Sequence, residues 1–139
     1  MRRFLGIDFG ESRTGLAVSD SLGLMAHGIG TVKTGGFANL IQVIKDKIAE
    51  YNVDSIVIGN PVNMNGTESE KSKVIQTLAE RIRKELNVEV ILFDERFTTM
   101  IAYRVLNETD TRGKKRKDVI DTLSAEIILQ NYLDSISKL

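Results

Sequence analysis

Apolar and polar positions repeat at two different periods along this chain, and the switch between them marks out its elements. Up to Thr34 the apolar runs are short and separated by glycines and polar residues, the pattern of strands: Phe4–Phe9, Thr14–Ser19 and roughly Gly28–Thr34. The connection Phe9-Gly10-Glu11-Ser12-Arg13-Thr14-Gly15 is tight, so the first two strands are expected to form an antiparallel hairpin and all three a meander. After Gly35-Gly36 the spacing turns helical, with Phe37, Leu40, Ile41, Ile44 and Ile48 on one face and Lys45, Asp46, Lys47 and Glu50 largely on the other.

Ser55-Ile56-Val57-Ile58-Gly59 is continuously apolar, as in a strand buried on both faces of a parallel sheet, and it ends at Asn60-Pro61, the sole proline. A loop over Val62–Gly66 follows, and Thr67, three residues before Glu70, predicts a capping box opening a helix. The buried stripe of that helix is expected to be Val74, Ile75, Leu78, Ile82 and Leu86. Val88–Phe93 reads as a fifth strand running into Asp94-Glu95-Arg96. Two parallel strands joined by a crossover helix end on the same edge of their sheet. Beyond them the pattern predicts a short helix over Thr98–Asn107, a polar loop over Glu108–Lys117, and a last helix over Asp118–Ser137 that buries Ile120, Leu123, Ile127 and Tyr132.

At 139 residues the chain suits one compact domain, 1–139, and its 42% hydrophobic and 27% charged content is that of a soluble globular protein. No apolar run is long enough to cross a bilayer and the N-terminus lacks a signal-peptide block, so a cytoplasmic protein with no membrane partner is expected. The absence of cysteine excludes disulfides, thiolate catalysis and zinc–thiolate sites, and a single isolated histidine, His27, argues against zinc chemistry. Any metal would be held by oxygen, which points to Mg2+ or Mn2+, as one or two ions. The net charge is zero, so nucleic acid could be gripped only by a local patch. The run Arg112, Lys114, Lys115, Arg116, Lys117 around Gly113 is such a patch. It is either solvated surface or, given its place just before an acidic helix, a loop that holds phosphates.

Asp8 ends the first strand, where an ionised carboxylate beside an apolar core is costly unless something compensates it. Capping a turn would be the plain explanation. Asp118 and Asp121 are three apart and share a face near the N-terminal end of the last helix, where dipole and cap stabilisation, about 0.3–1 kcal/mol, is the plain explanation for them. Ser124-Ala125, further along the face of Asp121, would let the helix lie close to a sheet. Together with Glu95 or Asp94, these acids could converge. Clustered carboxylates repel one another unless divalent cations sit between them, and a pair of such ions can activate water and stabilise a leaving oxygen.

Four segments in order, Leu5-Gly6-Ile7-Asp8-Phe9-Gly10 with Arg13 and Gly15, Asn60-Pro61 through Met64-Asn65-Gly66-Thr67, Asp94-Glu95-Arg96-Phe97-Thr98-Thr99, and Asp121 through Ser124-Ala125 to Ile128-Leu129-Gln130, resemble the YqgF/RuvX family. That family comprises small bacterial proteins described as pre-16S rRNA nucleases or Holliday junction resolvases. The resemblance implies an α/β, RNase H-like (RuvC-like) fold: a five-stranded mixed sheet, antiparallel over the first three strands and parallel over strands one, four and five, with helices on both faces. It implies Asp8, Glu95 and Asp121 as catalytic acids, Asp118 as a further metal ligand, and metal-dependent phosphodiester hydrolysis. The partner would be nucleic acid, a structured RNA precursor or branched DNA, and the protein a monomer or weak homodimer. Two departures stand out: strand four ends in Gly59-Asn60 without a carboxylate, so the middle acid must come from strand five, and Asn60 replaces a commonly apolar residue.

Candidate nucleic-acid contacts are Arg13, Asn65, Arg96, Thr98 and Thr99 besides the basic run, although Arg13 and Arg96 could instead pair with Asp94 or Glu95. Two rival classes remain. One is a nucleic-acid-binding protein with weak catalysis, its middle acid being displaced. The other is an ATP-binding module, because Asp8–Gly15 also resembles the first phosphate loop of actin and sugar-kinase folds; those proteins clamp nucleotide between two such domains, and this chain has one.

Overall fold

Strand alternation decides which side of the sheet each residue of β1 (Phe4–Asp8) serves. Leu5, Ile7 and Phe9 enter one core, while Phe4 enters another on the opposite face, the face that Gly6 and Asp8 share. The computed structural model describes residues 2–63, 65–94 and 113–137, with 113–117 described by backbone alone. β1 pairs antiparallel with β2 (Arg13–Ser19), and β2 pairs antiparallel with β3 (Ala26–Lys33), as the meander requires. β4 (Ser55–Asn60) runs parallel to β1, and β5 (Glu89–Asp94) parallel to β4, giving the order β3-β2-β1-β4-β5. This is the five-stranded mixed sheet that the sequence pattern and the resemblance predicted.

Helices α1 (Gly36–Tyr51) and α2 (Glu70–Leu86) cover one face through Leu40, Ile41, Ile44, Ile75, Leu78 and Ile82. Both end on an asparagine in the left-handed conformation, Asn52 and Asn87, whose backbone N–H closes the last turn on Ile48 and Arg83. Two details of α2 differ from expectation. Its N-cap is Ser69, whose hydroxyl accepts from the backbone N–H of Ser72, because Thr67 is engaged with Asn63 and Asn65 in the preceding loop. Val74 is exposed, since the stripe that meets the sheet is carried by Ile75, Leu78 and Ile82.

Helix α3 (Gly113–Ile136) covers the other face. It begins five residues before the expected Asp118, so the backbone of Lys114, Lys115, Arg116 and Lys117 is helical and not a loop. The residues it buries against the sheet are Ala125, Ile128, Leu129 and Leu133, with Tyr132 packed partly against Phe4 and Phe93; Ile120, Leu123 and Ile127 form a separate small cluster. The reason is visible in the sheet. Gly6, Ala17 and Gly28 form a row across β1, β2 and β3, and a Cβ on Gly6 would stand 2.7 Å from that of Leu129. A surface carrying at most a methyl group selects the small-residue face of the helix. Among the described residues no helix is long and apolar enough to cross a membrane. The expected helix over Thr98–Asn107 lies outside the described residues.

Candidate active site

The C-terminal ends of β1, β4 and β5 lie side by side, with Ile7 level with Ile58 and Asn60 level with Asp94. Asp8 ends β1 on the α3 face, and its cross-strand partner is Gly15. Gly15 is the point where α3 comes closest: a Cβ there would stand 1.9 Å from the backbone carbonyl oxygen of Asp121. Two glycine-dependent contacts therefore bring the helix carrying Asp118 and Asp121 down beside Asp8. Thr31 of β3 fixes the same turn of α3, donating to the carbonyl of Asp118 at 3.0 Å and meeting the hydroxyl of Thr122 at 2.8 Å.

Because α3 starts at Gly113, Asp118 and Asp121 stand beyond its first turn, where the dipole no longer explains them. What faces them is Arg13. Its Nη1 lies 3.3 Å from Asp118 Oδ1 and its Nε 3.2 Å from Asp121 Oδ2. The second contact is an ion pair only: Asp121 Oδ2 is buried without a hydrogen bond. Arg13 is thus paired with these two acids.

Although Asp8 keeps part of its surface in solvent, burial of its carboxyl is the main force on it and pushes its pKa up to about 6, with Lys71 opposing and the charge of Asp121 adding to the rise. Asp121 is raised too, first by burial, against Arg13, with Asp118 adding and Lys71 opposing. Lys71, in the first turn of α2, therefore belongs to this electrostatic group although its sequence context did not single it out. Its place follows from Asn60, whose Oδ1 accepts from Ser72 Oγ at 2.6 Å and ties the start of α2 to the end of β4. That bond is also what the amide of Asn60 does.

The raised Asp8 sets a pH dependence. A carboxyl that binds its proton more tightly folded than unfolded destabilises the fold as pH rises through the interval between the ordinary value, 3.8, and about 6. In chelator, the melting temperature of Asp8→Asn relative to the unmodified protein is expected to climb across this window and level off above it. A difference that does not change with pH would contradict the assignment.

On β5 the alternation places Val90, Leu92 and then Asp94 toward α1 and α2, and Ile91 and Phe93 toward α3. Asp94 is therefore on the side of the sheet opposite Asp8. Glu95, Arg96, Thr98, Thr99 and Arg112 lie outside the described residues, as do the side chains of Lys114, Lys115, Arg116 and Lys117. Asn65 sits in an exposed loop, its Oδ1 accepting from the backbone N–H and hydroxyl of Thr67. His27 is exposed on β3, and Phe4 and Phe9 are core residues.

Among the described residues no three acids or histidines are grouped closely enough to hold a metal. Asp8 and Asp121 nevertheless have what a hard cation satisfies: carboxyls whose burial resists ionisation, and a buried oxygen with no hydrogen-bond donor.

Comparison with known proteins agrees with this architecture. A profile of the RuvX family, described as Holliday junction resolvase, matches residues 2–135. A Bacillus cytotoxicus protein named "Putative pre-16S rRNA nuclease" is 45% identical over 139 aligned residues, covering 96% of this chain and 98% of that protein. A Clostridium tetani protein of the same name is 43% identical, covering 96% and 97%. Among solved structures, Thermus thermophilus RuvC in complex with a Holliday junction superposes with a TM-score of 0.58 at 16% identity over 97% of this chain and 95% of that one. The fowlpox virus Holliday junction resolvase does so at 0.58 and 15%, over 97% and 99%. The fold is thus RNase H-like, of the RuvC type, and by its sequence over nearly its whole length the chain belongs to the RuvX family.

Proposed function

We propose that the protein is a metal-dependent endonuclease, a single RNase H-like nuclease domain over residues 1–139 that hydrolyses phosphodiester bonds in the 5′ processing of pre-16S rRNA in the cytoplasm. The observation that carries this reading is the seating of Asp121 beside Asp8 through Gly15, which gathers two partly buried carboxylates at the strand ends, one of them with a buried oxygen that has no hydrogen bond. The relatives named as pre-16S rRNA nucleases support the choice of substrate.

In this reading Asp8, Asp121 and Glu95 hold one or two Mg2+ or Mn2+ ions, with Asp118 as a further ligand. Asp94, on the opposite face, is not part of the set. When bound, such ions polarise the phosphoryl oxygen and activate water for in-line attack. Arg13, whose guanidinium can fork onto a phosphate, lies at the same edge, and Asn65 follows the end of β4. Arg96, Thr98, Thr99, Arg112 and Lys114 to Lys117 are proposed to grip the nucleic-acid backbone. Their contacts would be salt-sensitive.

A second reading, cleavage of branched DNA, is favoured by the description of the family itself. The two are separated by incubating an RNA precursor spanning the 5′ end of 16S rRNA and a four-way DNA junction side by side with Mg2+ and with Mn2+. Faster Mg2+-dependent cleavage of the RNA is expected. Cleavage of the junction alone would transfer the activity to DNA, and cleavage of neither would overturn the nuclease reading.

A further inference from the structure

We propose that Arg13 is a built-in stand-in for the divalent cation: its guanidinium holds the Asp118–Asp121 pair in the metal-free protein and gives it up when the metal enters. The inference rests on the metal-site reading above and adds to it a competition between a side chain and the ion.

Geometry separates this arginine from a structural one. An arginine built to hold carboxylates makes charge-assisted bonds near 2.7–2.9 Å. Arg81 meets that standard, with Nε 2.8 Å from Glu85, whereas the Arg83–Glu80 pair, at 3.3 Å, is an exposed surface contact. Arg13 instead stands 3.3 Å from Asp118 and 3.2 Å from Asp121, and its second contact is so misdirected that Asp121 Oδ2 keeps no hydrogen bond. The guanidinium supplies charge without closing the coordination of the oxygens it faces.

Charge explains why it is there. Asp8, Asp118 and Asp121 are opposed by Arg13 and Lys71. Among the described residues, loss of Arg13 would leave three carboxylates against one cation. Arg13 is placed for this by the tight turn before β2, where a Cβ on Gly10 would stand 2.3 Å from the carbonyl oxygen of Arg13. The guanidinium and a metal ion would need the same carboxylate oxygens, so binding of one must weaken binding of the other, reciprocally. Displacement has a use as well: it frees a five-donor fork at the moment when a substrate phosphate needs neutralising.

Calorimetric titration of the full chain with Mn2+ tests the idea. Arg13→Gln is expected to bind Mn2+ roughly three- to tenfold more tightly than the unmodified protein, the competing ion pair being only partly buried. In chelator the same variant should melt lower, and added Mn2+ should raise its melting temperature more than that of the unmodified chain. A merely structural arginine would lower stability without raising affinity, so equal or weaker Mn2+ binding by Arg13→Gln overturns the proposal while leaving the metal site standing. No Mn2+ binding by the unmodified chain overturns both. The competition is also read in the unmodified protein, where solvent exchange of the Arg13 Nε–H is expected to accelerate on saturation with Mg2+. Unchanged exchange at saturation contradicts displacement.

Discussion

Asp8→Asn and Asp121→Asn are each expected to abolish metal-dependent cleavage while leaving a folded protein that is no less stable without metal. The substitutions keep shape and remove charge. Burial already disfavours the ionised form of both residues, so the folded metal-free state loses a cost and not a support. For the reaction the sign reverses. A cation at this site contributes several kcal/mol of charge stabilisation in the transition state, and with each 1.4 kcal/mol worth a factor of ten, losing a ligand corresponds to roughly a thousandfold or more in rate. Single-turnover cleavage with Mg2+, beside melting curves in chelator, separates the two effects. Cleavage at the unmodified rate by both variants would sink the assignment.

Gly15→Ala is expected to damage both stability and activity, although it lies outside the carboxylate set. The backbone there does not need glycine; the space does, because the added Cβ would stand 1.9 Å from the Asp121 carbonyl oxygen and 3.1 Å from the Thr122 nitrogen. Backbone atoms of a helix cannot swing aside as a side chain does, so α3 must lift from β2. Overpacking of this kind costs about 3 kcal/mol, which for a chain of this size lowers the melting temperature by roughly 6–12 °C. Displacing α3 also displaces Asp118 and Asp121 from Asp8, so cleavage measured well below the melting point should fall as well. An unchanged melting temperature would mean that the helix does not rest on this glycine.

The sheet was legible because its signals are local. Hairpin connection, apolar runs and crossover helix each stand in the sequence within a few residues of what they specify, and strand limits shift by only one or two positions. The errors fall where tertiary contact overrides local chemistry. Ser69 caps α2 because Thr67 is held by Asn63 and Asn65, and α3 runs back through the basic residues to Gly113, which composition alone reads as loop. Of the residues expected to be buried on α3, Ile120 is buried and Tyr132 packs on the sheet, but Leu123 and Ile127 are only partly covered, for the same reason. Ile120, Leu123 and Ile127 are its conspicuous apolar residues, but the groove lined by Gly6, Ala17 and Gly28 admits the face bearing Ala125 and Leu129.

At the site, Asp8, Asp118 and Asp121 could be picked out as acids in unusual settings, and Ser124-Ala125 correctly signalled close packing, both residues being buried. Arg13 was recognised as a nearby cation, but its partners follow only from the register that sets β2 under α3. Lys71 carried no signal at all. It reaches the group through the bond between Asn60 and Ser72, a contact between elements that no spacing in the sequence encodes.

The central claim is that Asp8 and Asp121 share a divalent cation. The most direct measurement is anomalous diffraction from crystals of the protein soaked in Mn2+. The account predicts a manganese peak bound by Asp8 and Asp121, with Glu95 and Asp118 as its further protein ligands. A saturating soak that leaves no peak between these two carboxylates, or places manganese only elsewhere, would contradict it.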